Sequence, residues 1–244
     1  MQEKYPQKPG IDFLLKQAFF YWNKTLLYQM LFSIIYFGIF LSVFLFFSGK
    51  YDIMNQFLGA ASNYMELGPS GMDAYKTEIA TIMATPGFQN FYLAIVGVSV
   101  FLFPLNIGFF EIFRKIDTKE PIVVSDLFAG YIGLNFFKFI SYYIFWFFLY
   151  TMITQTLILP IIWVMCTLLV APLMYFQNKR IFEAIAINFK VLKLYFIEIV
   201  VCVIVAFLFK YIGFALFLIG GLFTFPIWNS IVYSLYKSIF AEKS

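Results

Sequence analysis

The sequence predicts an all-α polytopic integral membrane protein. It predicts six transmembrane helices arranged as three hairpins, each preceded by an interfacial amphipathic helix. Three observations carry this expectation. Hydrophobic residues make up 62% of the 244 positions and charged residues only 12%, where a soluble domain averages about 45–50% and about 25%. A water-soluble globule of this size has too little interior to hide so much apolar surface. Apolar runs long enough to cross a bilayer recur along the chain, and the basic residues collect on one side of the topology those runs define.

The first run covers 25–47. It is too long for the apolar core of a cleavable signal, no small-residue cleavage site follows, and it is expected to stay in the membrane. The second span begins near Phe88, after the Thr85-Pro86-Gly87 break, and reaches Phe110. Residues 139–178 carry no charge, which fits two spans joined at Thr154-Gln155-Thr156, with Pro160 in the first turn of the next helix. The fifth span lies between Lys193 and Lys210 with Glu198 inside it, Gly213 relaxes the connection, and the sixth fits within 212–236.

Six crossings place fourteen of the 17 basic residues on one side. These are Lys4, Lys8, Lys16, Lys24, Arg114, Lys115, Lys119, Lys138, Lys179, Arg180, Lys190, Lys193, Lys237 and Lys243, against Lys50, Lys76 and Lys210 opposite. Both termini are therefore expected to be cytoplasmic. The net charge of +4 then has a topological role, and nucleic acid is not an expected partner.

On the outer side, 48–87 holds two helix-like runs separated by Gly68-Pro69-Ser70-Gly71, with Ser70 and Asp73 spaced as a capping pair. An amphipathic helical pair on the leaflet or over the bundle is expected there; a lid or a partner surface is the functional alternative.

The chain reads as one transmembrane domain over 1–244 with a threefold internal pattern, in units of roughly 10–112, 122–178 and 179–240. An amphipathic stretch opens at Asp12, Asp126 or Glu183 and closes at Lys24, Lys138 or Lys193, which suits the helix dipole and an interfacial position. The second helix of each hairpin carries an interior proline: Pro104, Pro172 and Pro226. Each removes a ladder hydrogen bond, and in lipid the freed carbonyl must find another donor. Asn106 and Asn229 lie just beyond two of these prolines, and Asn178 follows the third at greater distance.

Several segments resemble a known family. The run Pro121 to Gly130 (PIVVSDLFAG) looks like the basic-loop and DLF-x-G element of small six-span bacterial membrane proteins. Ala171-Pro172 with Arg180 to Ile185 (RIFEAI), and Thr224 to Pro226 with Tyr233 and Tyr236, resemble their later signatures. The family includes the YciC-like proteins and the membrane domain of some glycerophosphodiester phosphodiesterases, with a more distant likeness to Yip-type proteins. The resemblance implies a polytopic domain, mostly without assigned chemistry. No residues remain for the phosphodiesterase barrel, so that activity is not implied.

Chemistry is sparsely provided for. The chain has no histidine, which removes His-based acid–base catalysis and His-ligated metals. Cys166 and Cys202 lie in apolar stretches and read as small buried thiols. Glu198, about one turn into the fifth span, is a functional candidate as an intramembrane acid, or else it snorkels toward Lys190 or Lys193. Glu111 is spaced to pair with Arg114 or Lys115. Lys210 reads as an outer-interface anchor, and Gly220-Gly221 as a close-approach pair.

The leading expectation is a non-enzymatic inner-membrane protein, without cofactor or metal, that binds membrane lipids or acts as an accessory subunit to other membrane proteins or to itself. The alternative is a small transporter or channel lined by the three proline-bearing helices. A lipid-modifying enzyme ranks last. Richness in Phe, Ile and Lys points to a bacterial source.

Overall fold

The computed structural model describes residues 9–240 apart from 155, 157 and 217. Every regular element among them is helical: α1 (Ile11–Lys24), α2 (Leu26–Lys50), α3 (Ile53–Leu67), α4 (Met72–Ala84), α5 (Pro86–Thr118), α6 (Leu134–Ile153), α7 (Leu159–Thr167), α8 (Val170–Phe176), α9 (Ile181–Leu194), α10 (Phe196–Leu216), α11 (Leu218–Thr224) and α12 (Ile227–Phe240), with 3₁₀ segments at Gly68–Gly71 and Val124–Tyr131. Five helical stretches are long and apolar enough to cross a membrane: α2, α5, α6, α7 with α8, and α10. The expected sixth span is divided into α11 and α12 at Phe225-Pro226.

The chain forms two compact units, residues 35–101 and the remainder. In the first, the later part of α2 meets the start of α5 through Phe44 and Phe91 (ring centroids 5.5 Å apart). Thr85 Oγ1 accepts the Phe88 N–H at 3.1 Å and caps α5, with Pro86 at its first position. The expected helical pair is present as α3 and α4, pinned together by Tyr64 against Tyr75 and by Asn63 donating to Glu78 at 3.3 Å. The expected Ser70–Asp73 cap is not formed. Ser70 lies in the 3₁₀ turn and donates to the Leu67 carbonyl at 2.7 Å, while Gly71 takes the N-cap position of α4.

In the other unit the core is the later part of α5 with α12. Leu102, Leu105, Ile107, Phe109, Ile112 and Phe113 of α5 are buried, as are Ile227, Ile231, Leu235 and Ile239 of α12. α1 packs on α12 through Leu14, Ala18 and Tyr21, one stripe at helical spacing. α9 buries Ala184, Asn188, Val191 and Leu192.

Two of the three expected amphipathic segments, α1 and α9, are therefore helices that bury one face. The third segment differs. Residues 124–131 form a 3₁₀ helix, and Lys138 falls inside α6 instead of ending an amphipathic helix. This segment lies backbone to backbone against α5: a Cβ on Gly130 would lie 2.1 Å from the Pro104 carbonyl oxygen, and one on Gly108 would lie 2.1 Å from the Leu127 carbonyl oxygen. Gly133, at φ +59°, then turns the chain into α6.

The last hairpin also differs from expectation. α10 continues through Lys210 to Leu216, and Gly213 lies within it, facing Gly220 and Thr224 of α11. The Lys210 ammonium stands 4.7 Å from the centre of the Phe225 ring, so it packs at the α11–α12 junction.

Candidate functional site

α5 spans 33 residues, about 50 Å at 1.5 Å per residue, where hydrocarbon is about 30 Å thick. Its last two turns carry the charges, and each charge binds a different element. Glu111 accepts from Arg114 at 2.7 and 3.1 Å and from the Tyr175 hydroxyl of α8 at 2.8 Å. Arg114 also donates to Glu120 at 2.8 Å, and this contact holds the Glu120 carboxyl below its usual range. Lys115 pairs with the buried Asp126 at 2.7 Å, and the second Asp126 oxygen accepts the Val123 N–H at 2.9 Å. Asp117 accepts from Tyr21 of α1 and Tyr233 of α12, both at 2.7 Å, and pairs with Lys237 at 2.7 Å. Burial, reinforced by Asp117, raises the Tyr21 phenol well above its ordinary value. The result is a polar layer in which the end of α5 fixes α1, α8, α12 and the 3₁₀ segment.

The expected pairing of Glu111 with Arg114 is made. Asp117 and Asp126 did not stand out in the sequence as contact-forming acids. Asp126 was legible only as the acid that opens an amphipathic stretch, and Asp117 only as an acid close to a basic cluster.

The three prolines lie where their helices are served by side-chain donors. Inside α5, Pro104 frees the carbonyl of Val100. Asn106 acts one turn later, donating to the Phe103 carbonyl at 3.1 Å, and Asn229 of α12 donates to Asn106 at 3.1 Å. The two asparagines thus form a part-buried amide pair between α5 and α12. Pro226 interrupts the helix between α11 and α12, and the Trp22 indole N–H of α1 donates to the nearby Phe223 carbonyl at 2.8 Å. Pro172 lies early in α8, just after the break that separates it from α7.

That break is closed by a residue the sequence did not single out. Asn188 of α9 is fully buried. Its Oδ1 accepts the Leu169 N–H at 2.9 Å and its Nδ2 donates to the Met165 carbonyl at 2.9 Å. In a continuous helix those two backbone groups would bond to each other. The carboxamide is spliced into the ladder between them. Thr167, at the same break, accepts the Trp146 indole N–H at 2.8 Å. The signal in the sequence was a polar amide on the stripe of Ala184 and Val191, the face an amphipathic helix buries.

Glu198 is buried in the first turn of α10. It does not reach Lys190 or Lys193, which are exposed, and among the described residues its Oε2 has no hydrogen-bond partner. Lys138 extends from α6 to the end of α8, donating to the Met174 carbonyl and to Asn178 Oδ1 (2.9 Å for the latter). Asn178, at φ 51°, is the left-handed residue that ends α8.

On the side of α1 away from the core, Phe13, Lys16, Phe20 and Lys24 are exposed. On α9 Phe182, Glu183, Ala186, Phe189, Lys190, Lys193 and Leu194 are exposed. Both helices end in the same pair, with Lys24 lying 5.6 Å from the Phe20 ring centre and Lys193 lying 5.3 Å from that of Phe189. The arrangement offers an apolar ring and a cation side by side. No family model, curated protein or solved structure matches this chain.

Proposed function

We propose that this chain is a non-enzymatic, six-span protein of a bacterial inner membrane that binds anionic lipid at its cytoplasmic face and serves as a scaffold or accessory subunit for other membrane proteins or a second copy of itself. The observation that carries the reading is the repeated Phe–Lys pair on the outer faces of α1 and α9. Aromatic rings enter the headgroup–acyl boundary while adjacent lysines meet phosphates. Each lysine near an anionic surface contributes about 1 kcal/mol. The asymmetry of basic residues supports cytoplasmic termini, and the likeness to six-span bacterial proteins supports the class.

Native mass spectrometry of the protein extracted from one membrane tests the lipid reading. Lys16→Gln, Lys24→Gln, Lys190→Gln and Lys193→Gln combined should lower retained phosphatidylglycerol and cardiolipin several-fold. Equal retention by wild type and variant would overturn it.

A second reading, a small transporter, is favoured by the helix breaks at α7–α8 and α11–α12, since broken helices mark transport sites. It ranks second because Asn188 and Trp22 already engage backbone groups at both breaks. Solute flux in proteoliposomes that is lost on Glu198→Gln would reverse the order.

A further inference from the structure

The splice at α7–α8 has a property an ordinary helix break lacks. Leu169 N–H and Met165 C=O are both paired through Asn188. If the amide were withdrawn, the same two groups could bond directly as the i to i−4 step of one helix. Neither arrangement leaves them orphaned, so the usual penalty for a buried unpaired backbone group does not choose between them. From this we infer that Asn188 is a withdrawable latch, and that 159–176 is a two-state segment: two short helices with the latch inserted, one continuous helix with it removed.

Neighbouring groups set the balance. Pro172 has no N–H for the Leu168 carbonyl, and its ring crowds that oxygen, which favours the break. Trp146 and Tyr142 of α6 reach Thr167 at 2.8 and 3.4 Å and brace the inserted state. On the other side, 159–176 is continuous in its apolar character. The latch belongs to α9, and the residues that follow it, Phe189 and Lys190, are exposed. Successive residues on a helix are about 100° apart. A rotation of α9 by one such step would carry the amide out of the break toward the exposed face, where water or headgroups satisfy it. The position of α9 and the shape of the α7–α8 segment are thereby coupled. This holds whether or not lipid is what moves α9, so it goes beyond the proposed function.

Double electron–electron resonance tests the latch. Spin labels are placed at Ile161 and Gln177 in a background with Cys166→Ala and Cys202→Ala. A continuous helix separates positions sixteen residues apart by about 24 Å at 1.5 Å per residue. Asn188→Leu should move the distance distribution from the wild-type value toward that length. Pro172→Ala, which restores the missing N–H while keeping Asn188, should move it in the same direction. If Asn188→Leu fails to fold, by circular dichroism and gel filtration, Pro172→Ala decides alone. Distributions unchanged from wild type in the folded variants would overturn the latch, as would a wild-type distance already at the continuous-helix value.

Discussion

Gly108 of α5 and Leu127 of the 3₁₀ segment touch backbone to backbone: a Cβ on Gly108 would stand 2.1 Å from the Leu127 carbonyl oxygen. The same applies to Gly130 against Pro104. Neither neighbour is a flexible side chain that could move aside. Gly108→Ala and Gly130→Ala should each destabilise the protein by about 1–3 kcal/mol, the range for overpacking. Gly97→Ala, with open space around its site, should leave it unchanged or slightly more stable. Thermal unfolding in one detergent orders the three, and equal melting temperatures would contradict the close approach.

The Lys115–Asp126 pair is largely shielded from water, with side-chain exposures of 17% and 10%. Asp126→Ala leaves an ammonium and the Val123 N–H without their partner. The expected loss is about 2–4 kcal/mol, nearer the cost of breaking a buried pair than a surface one. Adding Lys115→Met should recover part of it, because the stranded charge is then gone. A double-mutant cycle in which the two losses simply add would refute the pairing.

Asp117 joins α1 to α12 through Tyr21, Tyr233 and Lys237. Asp117→Ala should loosen α1, whose other polar ties to α12 are Lys237 donating to the Tyr21 hydroxyl at 3.0 Å, Gln17 with Ser234 and Ser238, and the Leu14 carbonyl with Ser234. Trypsin cleavage after Lys16 and Lys24 should then accelerate several-fold in the folded variant. Cleavage at the wild-type rate would show that the helix is held without Asp117, by the packing of Leu14 and Ala18 and the remaining polar ties.

Two groups in the layer set opposite pH limits. The Glu120 carboxyl is held low by Arg114 and Thr118, so its contribution is present above the unfolded carboxylate value of about 4.3 and is lost as pH falls through the lower folded value. The Tyr21 phenol is held high by burial and Asp117, so its contribution is intact below the unfolded value of about 10 and is lost as pH rises beyond it. Protection of the 119–122 amides, after allowance for the intrinsic exchange rate at each pH, should fall on acidification, and Arg114→Gln should remove that dependence. Tyr21→Phe should flatten the loss of stability above about pH 10.

The sequence was a good guide wherever structure is set by local pattern. Apolar length predicted the five stretches that are long and apolar enough to cross a membrane, because hydrocarbon thickness translates directly into residues. The stripes of α1 and α9 were legible because a helix that buries one face must repeat every three or four residues. Turn chemistry marked Gly68–Gly71 and Thr85-Pro86, where the structure has its turn and its cap. By contrast, nothing within 122–135 announces a 3₁₀ segment. It lies against Gly108, a residue of another helix, which leaves room for the Leu127 backbone.

By itself the amino-acid sequence determined an all-helical chain with several stretches fit for a membrane, and two of its amphipathic helices, α1 and α9. Only the tertiary structure decided how the polar groups are matched: Asn188 with the α7–α8 break, Asn229 with Asn106, Trp22 with Phe223, and Asp117 with three side chains from two other helices. The physical reason is one of range. Periodicity and length act within a segment and can be read along the chain. A buried hydrogen bond joins residues as far as 220 positions apart, and its partner exists only once the helices have packed.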